Sequence, residues 1–581
     1  MEASFLKQAI EVVLGDRPPD LVIKGVRLLD LLVEEVREEV NILVFGDRIV
    51  YVGALEGELD APYVLDLKGL YVCPAFIDPH CHLDFVFHVR EYARWAVPRG
   101  TTTVITEIAM LANAGGAEAV KWFLEEINRT PFRAFFLCPS VVPPFPQFEK
   151  SAGFPFEAFK ETVSEENCLG LGETYWPRVV LDKDLELLER FAETSKLKKR
   201  LEGHTAGAKG RRLQAYLCTG ISSCHEPINA EEALELLRLG VAVMIRRGYI
   251  RNELKAMGGL KGLKDMRNLM LCTDLLDPKT IVEQGVQDLL IREAISLGFS
   301  PFDAIKMVSL NPALYYGLRD LGLIAPGRKA DLVAFEDLNC PKVRLVIKDG
   351  KLIAENGRLL EPLPSHVSSQ GVRGTFLLKE VKPSDFFIAC SRPMARVRVI
   401  KLLNETITEE GFISLQTRFG NIPADPSQDV LKAAQISRHS ETPEMKVGFV
   451  KGFGLKEGAL ATSLTWDTNN IFVIGTDEEE MAFAVKVLLE HQGGFFAVRK
   501  GKVLASVPMP LWGIISPKSM EELAAEIKAF DEAARTLGAS VSSSFVLLQT
   551  LPFSGLPYLR LTERGLVDIK RRQFVPVVED A

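Results

Sequence analysis

The stretch P-A-F-I-D-P-H-C-H, Pro74 to His82, sets two imidazoles two residues apart at the end of a short apolar run. In an extended strand residues i and i+2 project to the same face, so His80 and His82 can grip one metal ion together. A His-x-His pair also arises by chance in a chain of 581 residues, as two polar side chains leaving a strand. Position separates these readings. Leu70 to Ile77 is apolar and closes on Asp78-Pro79, so the imidazoles stand where a strand gives way to a loop. In a parallel α/β barrel that C-terminal edge gathers the catalytic groups. The pair therefore predicts that later strands of the same barrel end in further ligands.

Four more strand-like runs do so. Leu169-Gly-Leu-Gly ends in Glu173, Arg200-Leu-Glu-Gly in His204, Gly220-Ile-Ser-Ser-Cys in His225 and Leu269-Met-Leu-Cys-Thr in Asp274. Each alone has an ordinary reading: a loop acid, a helix cap, a satisfied loop histidine, the cap of the next helix. Together they do not, because the chain has only 8 histidines and four of them stand in this pattern. The set suffices for two divalent ions sharing a bridging carboxylate and a bridging hydroxide that can attack an sp² carbon. Asp274 is the natural general base, taking the proton of the nucleophile and passing it to a departing nitrogen. Glu107, Glu226 and Asp277 are further acids near these positions, read first as structural charges. Cys81, Cys224 and Cys272 read as small packing residues.

Around this set, apolar runs alternate with amphipathic segments. Strands are expected at T-T-T-V-I-T from Thr101, R-A-F-F-L-C from Arg133, V-A-V-M-I-R from Val241 and N-L-M-L-C-T from Asn268. Helices are expected at Glu118 to Asn128, Lys183 to Ser195, Ala230 to Leu239 and Val286 to Leu297. Such alternation indicates an α/β fold with a parallel (β/α)8 TIM barrel. A short helix at Ala3 to Leu14 and alternating strands precede it, and more strands follow at A-D-L-V-A-F from Ala330 and from Val343, so one small sheet assembled from both flanks is expected. P-L-P-S-H-V-S-S-Q-G, from Pro362, reads as a linker to a third, mixed unit. The expected division is 1–72 and 319–370 for the small β domain and linker, 73–318 for the barrel and 371–581 for the C-terminal α+β domain.

Composition bounds the function. Net charge of −8 argues against a nucleic-acid surface, and the Lys196 to Arg200 run reads as a solvated helix end. No apolar stretch reaches the roughly 20 residues a membrane span needs, and the N-terminus lacks a signal-peptide pattern. Nine cysteines without a Cys-x-x-Cys pair fit a reducing compartment, so a cytoplasmic protein is expected.

The chain resembles the amidohydrolase superfamily and, within it, the bacterial and archaeal adenine deaminases. The resemblance rests on P-A-F-I-D-P-H-C-H, R-G-T-T-T-V from Arg99, P-S-V-V-P from Pro139 and A-Y-L-C-T-G-I from Ala215. It extends through A-P-G-R-K-A-D-L-V from Ala325 and G-F-G-L-K-E-G-A-L-A-T-S from Gly452. It implies metal ligands at His80, His82, Glu173, His204, His225 and Asp274, with Glu173 as the bridge. It also implies two divalent ions, manganese or iron and with zinc possible, a small heterocyclic substrate, and a homo-oligomer, dimer or larger.

The surroundings depart from the family pattern. Glu-Ser-Ser after the second histidine is Asp84-Phe85-Val86 here, and D-P-H-E is Glu107-Ile108-Ala109-Met110. S-D-H-E becomes Ser223-Cys224-His225-Glu226, R-E-G-S becomes Arg246-Arg247-Gly248-Tyr249, and D-D-R-H-P becomes Asp274-Leu275-Leu276-Asp277-Pro278. H-D-S-H-N becomes Trp466-Asp467-Thr468-Asn469-Asn470. Asp84, Glu107, Tyr175 and Arg246 are the candidates for touching substrate. Three functions follow in order: adenine deamination, hydrolysis of another cyclic amidine or amide, and a non-catalytic metal-binding homologue.

Overall fold

Eight strands close the central barrel of the computed structural model, which describes residues 2–55, 60–364, 372 and 376–579. They are β1 (Phe76–His82), β2 (Thr101–Glu107), β3 (Arg133–Cys138), β4 (Cys168–Leu171), β5 (Arg200–Leu201), β6 (Ser223–Cys224), β7 (Ala242–Arg246) and β8 (Leu269–Cys272). Every ladder is parallel, from β1 to β5 and from β6 to β8. Two single bridges complete the circle: Glu202 with Ser223, and Cys81 with Asp274. β2 and β7 are buried along their whole length. The β-branched run T-T-T-V-I-T suits a strand covered on both faces. Helices Leu185–Lys196 and Ala230–Arg238 return between strands, each begun by a side chain that accepts from a first-turn amide, Asp184 from Leu187 and Asn229 from Glu232.

The two flanks of the barrel meet in one nine-stranded sheet, where Tyr71–Pro74 pairs antiparallel with Leu332–Phe335. Residues 365–371, which hold most of the expected linker and His366, lie outside the described residues. Among those residues no helix is long and apolar enough to cross a membrane.

The C-terminal unit is built on a second nine-stranded sheet, running from the edge strand Thr408–Gln416 to Lys502–Pro508. Helix Glu478–Glu490 packs on it, capped by Asp477 and carrying three glutamates in its first turn, where the helix dipole favours negative charge. This unit is fastened to the C-terminal end of the barrel strands. Ile515–Ser516 pairs in parallel with Val86–Phe87 just after β1. Thr562 donates to the carbonyl of Phe148, Asn470 to that of Lys150, and the Glu563 carboxylate accepts from the Lys150 amide.

Burial pushes Glu563 up to about 7 from 4.5. A carboxyl whose folded value is raised binds its proton more tightly in the fold. Its contribution is therefore fully present below 4.5 and lost as pH rises through about 7. Glu563→Gln should remove this penalty. In denaturant titrations its stability relative to the parent chain should be greater at pH 8 than at pH 5 by up to roughly 3 kcal/mol. An equal difference at the two pH values would refute the assignment.

Candidate metal centre

Five strand ends deliver six side chains to one point. β1 supplies His80 and His82, and the residues following β4, β5, β6 and β8 supply Glu173, His204, His225 and Asp274. Glu173 Oε1 lies 3.3 Å from His80 Nε2, 3.4 Å from His82 Nε2, 3.4 Å from His204 Nε2 and 3.2 Å from His225 Nε2. Asp274 Oδ1 lies 3.4 Å from His82 Nε2 and 3.7 Å from His80 Nε2. Asp274 adopts φ 54°, the left-handed region that side chains other than glycine seldom enter. Two backbone bonds to the end of β1 hold it there, from Asp274 N to the His80 carbonyl and from His82 N to its own carbonyl. Strain fixed in this way is common where a side chain must be aimed.

The donor set fits divalent metal. Both ring nitrogens of His80 and of His204 are buried and hydrogen-bonded to no described residue, although carboxylates stand close by. Imidazole and carboxylate atoms that converge without pairing are what a shared cation requires. Carboxylates also face the outer ring nitrogens, where they can fix the tautomer. Glu226 Oε1 is 3.0 Å from His204 Nδ1, Asp84 Oδ1 is 3.9 Å from His82 Nδ1, and Glu107 and Glu202 each stand 4.0 Å from His80 Nδ1.

Burial and then the neighbouring His80 push His225 down to about 4, which keeps its imidazole neutral. Burial disfavours ionised Glu226, but His204 beside it wins and holds it at about 2. Burial opposes the charge of Asp274 too. The neighbouring His80 and the Arg246 guanidinium, 3.5 Å from Oδ2, outweigh it and keep this carboxyl well below the usual range.

Residues 71–353 match the amidohydrolase family and residues 405–573 match the adenine deaminase C-terminal domain. An adenine deaminase from Clostridium botulinum (strain Loch Maree / Type A3) is 36% identical over 98% of this chain and 97% of its own. Another, from Kosmotoga olearia, is 33% identical over 97% of this chain and 98% of its own. The chain belongs to the adenine deaminase family.

Within that family frame the four candidates for substrate contact divide. Tyr175 and Arg246 line the cavity at the converging imidazoles and carboxylates, together with Phe85, Leu275, Trp466 and Phe553. Asp84 and Glu107 are fully buried and are not part of its lining. Asp84 Oδ2 accepts from the amides of Met110 and Leu111 and so anchors the first turn of helix Ala109–Ile127. Glu107 accepts from the amide of Glu173 at 3.1 Å and is pushed up to about 8, by burial and then by Glu173. Asp277 caps helix Pro278–Glu283 through the Thr280 amide and has a structural role.

Glu107 leaves no room beside it. A Cβ on Gly172 would come within 2.1 Å of Glu107 Oε2. Gly172→Ala should therefore displace Glu107 and, through the shared amide, Glu173. The expected result is a loss of about 1–3 kcal/mol in stability with reduced metal content per chain. Parental values for both would show that the contact is slack.

Asp467 is the carboxylate of the cavity that was not anticipated as a site residue. It comes from the C-terminal unit and accepts from Tyr175 Oη at 2.7 Å. The Tyr175 ring lies flat on His204, centroids 4.6 Å apart and 14° between planes. Burial raises Asp467 to about 6, with the Tyr175 hydrogen bond opposing. Its signal was present in the H-D-S-H-N comparison, where the aspartate is the member kept between two lost histidines.

Proposed function

We propose that the chain is a metal-dependent hydrolytic deaminase that converts adenine and water to hypoxanthine and ammonia. The observation that carries this reading is the convergence of four imidazoles on one oxygen of Glu173 with Asp274 beside them. Full-length similarity to proteins named adenine deaminase supports the choice of substrate. His80, His82, Glu173, His204, His225 and Asp274 would hold two divalent ions, with manganese or iron ahead of zinc. When bound, such ions make water a competent nucleophile near neutral pH.

The remaining steps belong to the chain. Asp274, kept ionised by Arg246, accepts the proton of the attacking water as the C6–O bond forms. It then delivers that proton to the exocyclic nitrogen, and the C6–N bond breaks with release of ammonia. Trp466 and Phe553, edge to face at 5.9 Å, give the ring an apolar enclosure. The same reading takes the protein to be cytoplasmic and homo-oligomeric.

The apolar lining of Phe85, Leu275, Trp466 and Phe553 favours a second reading, hydrolysis of a less polar cyclic amidine or amide. Incubation of protein loaded in turn with manganese, iron and zinc, followed by chromatography for hypoxanthine, decides between them. Turnover of adenine supports the first, while none with any metal, alongside turnover of another heterocycle, supports the second.

A further inference from the structure

The polar groups around the cavity are already engaged, with few exceptions. Arg246 is shared between Asp274 and Glu253. Glu226 faces His204 and accepts from the Ala206 amide. Glu173 and Asp274 face the imidazoles. Arg251, also in the lining, is a donor and cannot read an N–H. Asp467 differs from all of these, because Tyr175 takes only Oδ2 and no described residue donates to Oδ1. Its direction is also fixed. Tyr175 is held by the stack on His204 and by contact with Phe145 and Phe553, so the carboxylate it grips cannot swing freely.

We propose that Asp467 is the specificity-determining group of the cavity. Its free carboxylate oxygen accepts a hydrogen bond from a ring N–H of the heterocycle, so the site takes free bases and refuses those alkylated or glycosylated at that nitrogen. The inference rests on the reading of the cavity as a site for a cyclic amidine, and it assigns to the C-terminal unit the task of choosing among them. Trp466 and Phe553 line the cavity with aromatic surface, which discriminates little between flat rings. A charge-assisted N–H to carboxylate bond discriminates strongly, since a methyl group both removes the donor and strands the acceptor.

The test is calorimetric binding of adenine and of 3-, 7- and 9-methyladenine to the metal-loaded full chain, with turnover followed separately. The parent chain should bind adenine about 10–100-fold more tightly than at least one methyl isomer. In Asp467→Ala that ratio should shrink to within about threefold, and in Asp467→Asn it should be intermediate, since an amide oxygen accepts less strongly. The isosteric Asp467→Asn keeps the test decisive if the alanine variant does not fold. An unchanged ratio in the variants, or no binding of adenine by the parent chain, overturns the proposal. A parent chain that binds adenine with this preference but forms no hypoxanthine leaves Asp467 in its role and removes the deaminase reading instead.

Discussion

Glu173→Ala is expected to strip the chain of its divalent metal and to abolish turnover. Four imidazole nitrogens stand 3.2–3.4 Å from one oxygen of this residue, so no other described side chain bears on as many of the candidate ligands. Losing a hydrogen-bond partner of a ligand already costs roughly 10–100-fold in metal affinity, and loss of a shared anion should exceed that. The unfolding temperature should fall as well, because metal bound only by the folded chain stabilises it. Glu173→Gln preserves volume and removes only charge, so it separates the two contributions. Elemental analysis after dialysis is the measurement. A glutamine variant that retains parental metal would show that the convergence at Glu173 is hydrogen-bonding geometry and not a ligand set.

The same geometry explains what could be read before any fold was known. Strand-end candidates are legible because a barrel strand is short and apolar, so polar side chains gather at the mouth where it ends. His80, His82, Glu173, His204, His225 and Asp274 all stand within three residues of such an end and converge. Asp84 and Glu107 too sit at or just beyond strand ends yet turn inward, Asp84 to the amides of a helix start and Glu107 to the amide of Glu173. The sequence carries the residue type and the position, whereas the partner that captures each carboxylate is tertiary. Asp467 lies beyond local reasoning altogether, being joined to Tyr175 only when the C-terminal unit docks.

Docking also orders the departures from the family pattern. Asp84 holds the Met110 amide, and the Met110 carbonyl in turn accepts from Asn469 at 2.8 Å. Three segments that differ from the family motifs, after β1, after β2 and in the C-terminal unit, are thus links of one contact path. Their replacements are neighbours, and a change in one alters what the next can bond. The Phe85 and Trp466 substitutions border the cavity beside this path, which ties the remodelled lining to the seam between barrel and C-terminal unit.

Asp274→Asn tests the chemistry itself. It should lower kcat by about 10²–10⁴-fold, the usual worth of a positioned proton-transfer group. Asparagine retains an oxygen that can face His82 but can neither take a proton from water nor carry one to a leaving amine. Asp274 also stands among the presumed ligands, so metal content must be measured on the same preparation. If turnover falls only in proportion to metal lost, the residue is a ligand and nothing more. If metal is largely kept, adenine still binds and turnover collapses, the carboxylate is the proton carrier. Arg246 supplies an independent check through Oδ2, 3.5 Å away. Arg246→Met leaves the carboxylate in place and removes the charge that favours its ionised form, so it should lower kcat by less than Asp274→Asn does. Equal losses in the two variants would show that the Asp274 carboxylate works only while the guanidinium holds it.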